Sequence, residues 1–310
     1  MRAVVVTALG GPEVLELVER PDPVPARGEV LVRVRAACVH PADVAARAGQ
    51  IPGGPVPPPF LPGWDIAGEV VAAGEGVTGL GVGDPVAGMI PWYLTRGAVG
   101  GYAELVAADA AWLVPVPAGL DPVVAATVPL NALTARRALD IMALPGPTTL
   151  LVTGASGGVG GFAAQLAVRA GHTVYASATY DDEEWVRGLG VDTVLPRSAD
   201  LRAAAGRAAA GPAAAVLDAV PVGEPAGAAV TDGGVLVSTR PAPPVDPVRR
   251  VRQEVVLVRA DRPALRQLIE AVANGDLRTR VAATFPLAEA AEAHRRSEAG
   301  HLHGKIVLLP

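Results

Sequence analysis

The spacing of apolar positions changes near residue 121. Before that point, short apolar or alternating runs at 2–6, 29–37, 66–73, 85–88 and 102–107 are separated by turn formers such as Gly10-Gly11-Pro12, Gly53-Gly54-Pro55 and Pro57-Pro58-Pro59. The pattern predicts strands, and short strands recurring between Gly and Pro turns predict a barrel or sandwich. The Pro-rich piece 52–62 reads as a loop inside this β-rich domain.

After residue 121 the period lengthens. Asp121-Pro122 opens an Ala-rich helix as cap and first helical residue, and a second helix is expected over 131–143. Strands at 148–153, 173–177, 193–195, 214–218, 234–239 and 254–259 then alternate with helices at 159–170, 182–189 and 199–209. Such alternation implies an α/β fold with a doubly wound parallel sheet. Helices 263–274 and 287–299 and a strand 305–309 follow. The expected division is 1–124, 125–261 and 262–310, and no internal repeat is visible.

One strand-to-helix junction carries chemistry. Gly154-Ala155-Ser156-Gly157-Gly158-Val159-Gly160 follows the buried-type strand 148–153 and opens helix 159–170. In that context the first glycine permits a tight turn and the second lets backbone approach a pyrophosphate. The third lets helix and strand pack closely. Backbone N–H groups and the helix dipole then face an anion. The same letters also fit a G-x-S-x-G nucleophile elbow on Ser156, with Asp218 and His294 or His301 in the required order. Against that stand the third glycine at 160, the absence of a His-Gly-Gly type loop upstream, and a large β domain foreign to hydrolases of that kind.

Composition narrows the partners. Half of the 310 residues are apolar and 18% are charged, with a formal net charge of -5, which suits a globular protein and offers nucleic acid no basic face. The densest basic run, Arg249-Arg250-Val251-Arg252, reads as an ordinary solvated turn. One cysteine, Cys38, excludes an internal disulfide framework, and beside His40 it reads as a buried apolar thiol. A strand-like start without a basic leader, and apolar runs too short to span a bilayer, predict a cytoplasmic chain off the membrane.

Eight stretches in order resemble the medium-chain dehydrogenase/reductase superfamily, in its zinc-free quinone oxidoreductase branch. They run from Gly11-Pro12-Glu13-Val14-Leu15 through Ala37-Cys38-Val39-His40-Pro41-Ala42-Asp43-Val44 and Pro62-Gly63-Trp64-Asp65-Ile66-Ala67-Gly68-Glu69-Val70. Val82-Gly83-Asp84-Pro85-Val86, Gly100-Gly101-Tyr102-Ala103-Glu104, Leu133-Thr134-Ala135, the glycine loop and Gly304-Lys305-Ile306-Val307-Leu308 complete them. The resemblance implies a GroES-like catalytic domain, a Rossmann cofactor domain, a C-terminal return to the first domain, hydride transfer from NAD(P)H, and a homodimer. Zinc-dependent relatives place a cysteine ligand at the position of His40 and a His-Glu pair at Trp64-Asp65. Tryptophan cannot ligate zinc, so no metal is expected.

Without a Lewis acid, the acceptor must spread the incoming charge by itself, as quinones and α,β-unsaturated carbonyls do. Expected catalytic residues are His40, Asp43 and Tyr93. His40 is either a proton donor to an enolate or a polar wall residue satisfied by Asp43. Asp43 is expected to brace its loop, Tyr102 to line the pocket or pack, and His294 to be solvated in a polar helix. Expected cofactor contacts are Thr134, Gly154, Ser156, Gly157, Gly158, Val159, Gly160, Ser177, Thr179, Tyr180 and Lys305. Ser177 stands where an NAD-binding acid is usual, and Ser177, Thr179 and Tyr180 offer hydroxyls to a 2′-phosphate. The following Asp181-Asp182-Glu183-Glu184 opposes a phosphate unless it turns away as the first turn of a helix. The expectation is NADPH, with NADH possible, and a small conjugated carbonyl or quinone as substrate. The rival readings are a redox-neutral enzyme such as a cyclase, a non-catalytic dinucleotide-binding dimer, and the serine hydrolase.

Overall fold

A computed structural model describes residues 1–197, 200–207 and 213–310. Seven strands come first: β1 Arg2–Val6, β2 Leu15–Glu19, β3 Glu29–Val39, β4 Asp65–Ala73, β5 Pro85–Met89, β6 Leu105–Asp109 and β7 Leu113–Pro115. Six follow: β8 Thr149–Val152, β9 Thr173–Ala178, β10 Thr193–Pro196, β11 Ala213–Asp218, β12 Val230–Ser238 and β13 Arg252–Val255. The last two are β14 Val281–Pro286 and β15 Lys305–Leu309. They fall into two compact units. One comprises Met1–Leu130, Ala260–Asp276 and Arg280–Pro310, the other Asn131–Arg259 and Leu277–Thr279.

In the first unit, a seven-stranded sheet runs β14-β15-β3-β4-β5-β7, with β6 also on β3, beside the two-stranded β1-β2. Its centre is β3, eleven residues long. One edge pairs along its length with β4; the other is shared, Glu29–Arg33 with β6 and Ala37–Val39 with β15. Because β3 and β15 run antiparallel, as do β3 and β4, three residues far apart in sequence meet at one end of the sheet. They are His40 just after β3, Asp65 opening β4, and Lys305 opening β15.

The second unit holds a six-stranded sheet, β10-β9-β8-β11-β12-β13, with every pairing parallel. Counted within the unit, the order is 3-2-1-4-5-6, the doubly wound arrangement, and its switch point lies between β8 and β11. The glycine loop leaves β8 at that point. Leu151, Tyr175, Val216 and Leu236 from neighbouring strands form part of the core beneath it.

Several sequence expectations shift. The strand expected at 102–107 is Leu105–Asp109, with Ala103 instead bridging Ala3. The strand expected at 254–259 is Arg252–Val255. The helix expected at 131–143 begins at Pro129, and the one at 199–209 is seen as Leu201–Arg207, with 199, 208 and 209 outside the described residues. Strands β2, β7 and β14 and the helices Pro41–Arg47 and Glu224–Ala229 were not expected. The turn at Arg249-Arg250 is present, but it is not simply solvated. Arg249 ties it to Asp232 and to the carbonyls of Gly227 and Val230.

Two glycines fix the loop. Gly154 has φ +63°, the left-handed region, with Val220 packed where a Cβ would point. At Gly160 a Cβ would sit 2.4 Å from the Gly154 carbonyl oxygen, so helix and strand meet there backbone to backbone. Gly160→Ala is expected to destabilise the chain by about 1–3 kcal/mol through overpacking, and to weaken dinucleotide binding with it. Urea melts and a coenzyme titration check this; a variant with unchanged midpoint and Kd overturns it.

Candidate active site

The helix Gly158–Arg169 starts with Gly157 as its cap, and no side chain caps it. The N–H groups of Gly158, Val159 and Gly160 take no partner among the described residues, while Gly161 N–H already bonds the Gly157 carbonyl. Unsatisfied donors at a helix start, with the positive end of its dipole, suit a phosphate. Gly157 leaves space above the loop, its ideal Cβ meeting only the Gly154 oxygen at 3.3 Å. Asn131, on the helix Pro129–Met142 that also carries the buried Thr134, presses against Gly158 so closely that a Cβ there would lie 2.4 Å from Oδ1. The loop therefore fits a pyrophosphate.

Ser177 does not face outward as a ribose contact would. It is buried, its Oγ accepts from Gly154 N–H at 3.3 Å and its carbonyl from Ala155 N–H at 3.2 Å, so it braces the first turn of the loop. Beyond it, an open pocket of about 650 Å³ lies between the ends of β9 and β10, lined in part by Thr179, Tyr180, Glu183, Pro196 and Arg197. Of the four acids after Tyr180, Asp182 is turned inward to the Thr179 hydroxyl at 3.1 Å and Glu183 pairs with Arg187 at 2.5 Å. Arg197, absent from the sequence expectations, anchors β10 to β9 through its backbone N–H on Ala178. Its exposed side chain takes no partner among the described residues. A lone basic residue just after the third strand was its only sequence signal.

In the other unit, His40 ends β3 and begins the helix Pro41–Arg47, with Pro41 at the first position. Asp43 accepts from the backbone N–H of His40 and of Gly63, both at 2.8 Å, and so clamps two turns together. The ring of His40 is satisfied elsewhere than expected. Its Nε2 lies 2.9 Å from Asp65 Oδ2, and the Lys305 ammonium lies 3.5 Å from Nδ1. An ammonium has no lone pair, so Nδ1 accepts and Nε2 carries the proton toward Asp65. Asp65 also accepts from Leu130 N–H.

All these groups are buried. Burial and the Lys305 charge hold His40 well below its usual range, so the ring is neutral. Burial pushes Asp65 up, against the Leu130 N–H and Lys305, and pushes Asp43 up to about 6. The Cys38 thiol, also buried, is pushed up to about 12 and stays protonated, as the sequence suggested. Lys305 thus lies against His40, in the unit that does not hold the glycine loop. With both ring nitrogens engaged by protein groups, His40 has none free for a substrate.

Beside Asp65 in sequence begins an aromatic face whose exposed member is Tyr93. Trp64 stacks against Trp92 and Tyr93, both at 5.9 Å and tilted 35°, and Phe60 meets Trp92 edge-on at 5.5 Å. Tyr93 is 38% exposed, whereas Trp64 is 8% exposed and Trp92 1%. Trp92 Nε1 donates to the Leu61 carbonyl at 2.7 Å, but the buried Nε1 of Trp64 has no partner among the described residues. Such an orphan donor costs about 1–3 kcal/mol.

Behind this face His294 is fully buried, contrary to the expectation of a solvated residue. Its ring nitrogens meet Arg47 Nη1 at 3.2 Å and the Tyr102 hydroxyl at 3.1 Å, and Arg47 reaches Glu298 at 2.5 Å. The helix Ala290–Glu298 is polar in sequence, but Ala290 and Ala293 beside His294 are small enough to let it approach closely. Tyr102 therefore packs rather than presenting its hydroxyl to a pocket.

Neither zinc nor a triad of Ser156, Asp218 and His294 fits these residues. The His40 ring is taken by Asp65 and Lys305, and Trp64 offers no lone pair. The carboxylate of Asp218 is bound by the Thr153 hydroxyl and by Val222 and Gly223 N–H, and His294 by Arg47 and Tyr102.

Residues 26–118 match the family described as the alcohol dehydrogenase GroES-like domain, and residues 170–308 that described as zinc-binding dehydrogenase. A chloroplast envelope quinone oxidoreductase homolog of Arabidopsis thaliana is 32% identical over 97% of this chain and 95% of its own length. An NADPH-dependent alkenal/one oxidoreductase of the same plant is 30% identical over 100% of this chain and 80% of its own. A mycobacterial protein whose structure was determined with NADPH superposes with a TM-score of 0.85 at 29% identity, over 100% of both chains.

Burial and the Arg47 charge lower His294 to about 3. Below pH 6.5 the unfolded chain protonates this residue while the folded chain does not until about pH 3, so stability falls as pH drops through that window. Between pH 7 and 5 the wild-type chain is expected to lose about 2 kcal/mol more than H294Q, at about 1.36 kcal/mol per pKa unit. Urea melts at the two values measure it, and parallel losses refute it.

Proposed function

The chain belongs to the medium-chain dehydrogenase/reductase superfamily, in its quinone oxidoreductase-like branch, and from that premise we propose that it reduces a quinone or an α,β-unsaturated carbonyl with NADPH. The observation that carries this reading is the uncapped, glycine-walled helix start at the switch point of a 3-2-1-4-5-6 sheet, set in one chain with a catalytic unit whose residues do not fit zinc. When bound, the coenzyme supplies a hydride. The N–H groups of Gly158, Val159 and Gly160 would hold its pyrophosphate, with no Cβ at Gly157 in its way. The named activities of the two plant relatives support the acceptor class.

Arg197 supports NADPH over NADH. Its unpaired guanidinium and the Thr179 and Tyr180 hydroxyls border the pocket where the 2′-phosphate is expected, and the inward turn of Asp182 and the Glu183–Arg187 pair reduce the repulsion there. Ser156 and Thr134 remain proposed contacts of the coenzyme. A homodimer in the cytoplasm is the setting that we propose for it.

Mixing the protein with NADPH and a panel of quinones and enones is expected to abolish the nicotinamide absorbance. Its persistence with every acceptor would favour the cyclase or regulatory readings. Arg197→Ala is expected to raise the KM for NADPH about tenfold, near 1.4 kcal/mol, while leaving the KM for NADH within about twofold. Equal effects on both coenzymes would remove Arg197 from the 2′ site.

A further inference from the structure

We propose that the indole N–H of Trp64 is the donor that receives the acceptor's carbonyl or quinone oxygen. This inference rests on the reading of the chain as an acceptor reductase. Trp64 is more than nine-tenths buried and its Nε1 is unpaired, although Trp92, stacked against it, has its own N–H satisfied by a backbone carbonyl. A tryptophan buried for packing usually finds a partner for its N–H. An orphan that persists one ring away from the exposed Tyr93 is a donor kept for something that arrives later.

The geometry around Trp64 holds that donor still. On its N-terminal side Gly63 N–H is fixed by Asp43, on its C-terminal side Asp65 is fixed by His40 and Leu130, and its own carbonyl accepts from Ile90 N–H at 2.6 Å. Trp92 and Tyr93 pack against the ring at a 35° tilt, so they set the indole plane without using the N–H, which lies in that plane. Tyr93 is the most exposed of these rings and lies against Trp64, so an acceptor reaching the indole edge passes beside it. His40 cannot take this role, since both its ring nitrogens are engaged.

The chemistry matches a neutral donor. As a C–H bond forms at the β-carbon of an enone, the π electrons move toward oxygen, and the carbonyl becomes an enolate whose charge the N–H stabilises. The indole keeps its proton, and the α-carbon takes its proton from water. A donor fixed in advance and shielded from water gains strength as that charge grows. The N–H carries no charge, so the site favours neutral enones and quinones over acceptors with a carboxylate beside the double bond.

Trp64→Phe keeps the stacking ring and removes the N–H. Its kcat/KM for 3-penten-2-one is expected to fall roughly ten- to hundredfold, with the KM for NADPH unchanged. Its Tm should equal or exceed that of wild type, because an unsatisfied donor has been removed. In coenzyme-free protein carrying 15N-indole, the Trp64 resonance, identified by its loss in W64F, should move downfield on addition of 4-nitrophenolate. Retention of kcat/KM within about twofold, or a resonance that stays in place, overturns the donor. Wild-type protein that leaves NADPH unoxidised whichever quinone or enone is offered refutes the reductase reading instead, while the resonance still reports on the donor.

Discussion

Three ionisable groups with almost no access to water have to satisfy one another at one end of the first unit's sheet. Asp65 and Lys305 would each be costly alone in that environment, and the neutral His40 ring between them accepts from one and donates to the other. This arrangement requires β15, β3 and β4 to be neighbours in register, since each residue stands at or next to the end of its strand. Asp43 then fixes the turn after β3 to the turn before β4. What lies in front of this cluster, including the plane of the Trp64 ring, takes its position from it.

The two units differ in how they use charge. Around the glycine loop, the protein offers backbone dipoles and one solvated arginine, which suit a ligand that brings its own negative charge. In the first unit the buried charges of Asp65 and Lys305 are spent on His40, and the donor proposed for the acceptor, the Trp64 indole, carries none. That is the environment in which charge arising during a reaction is felt most strongly. It also explains why the ligand positions of zinc-dependent relatives are free to carry tryptophan and histidine here: the acceptor's own conjugation disperses the charge.

The second unit was largely legible in the sequence, because most of its strands are short apolar runs between helices closed by glycine; β13, Arg-Gln-Glu-Val, lacks that signal and was expected elsewhere. The first was less so. In β14, Val-Ala-Ala-Thr-Phe-Pro alternates half-buried with exposed positions, and its small residues give the alternation little contrast. His294 looked solvated because arginines and glutamates surround it in sequence; what buries it is Arg47, a partner from a distant helix. Asp43 was read correctly as a brace of its loop, yet the true partner of His40, Asp65, was invisible because only strand pairing brings the two together. Ser177 and Arg197 show the same limit at the loop: one turned inward, the other outward, and residue type alone distinguishes neither.

The place of β15 in the sheet bears on how the chain is made. During synthesis Asp65 and His40 leave the ribosome long before Lys305 does, and until β15 pairs with β3 the buried acid has no cation within reach. The parallel sheet of the second unit needs only residues that lie between, so it can form while the first unit still waits for its last strand. A nascent chain stalled before Lys305 would thus hold a finished nucleotide-binding unit tethered to an unfinished partner.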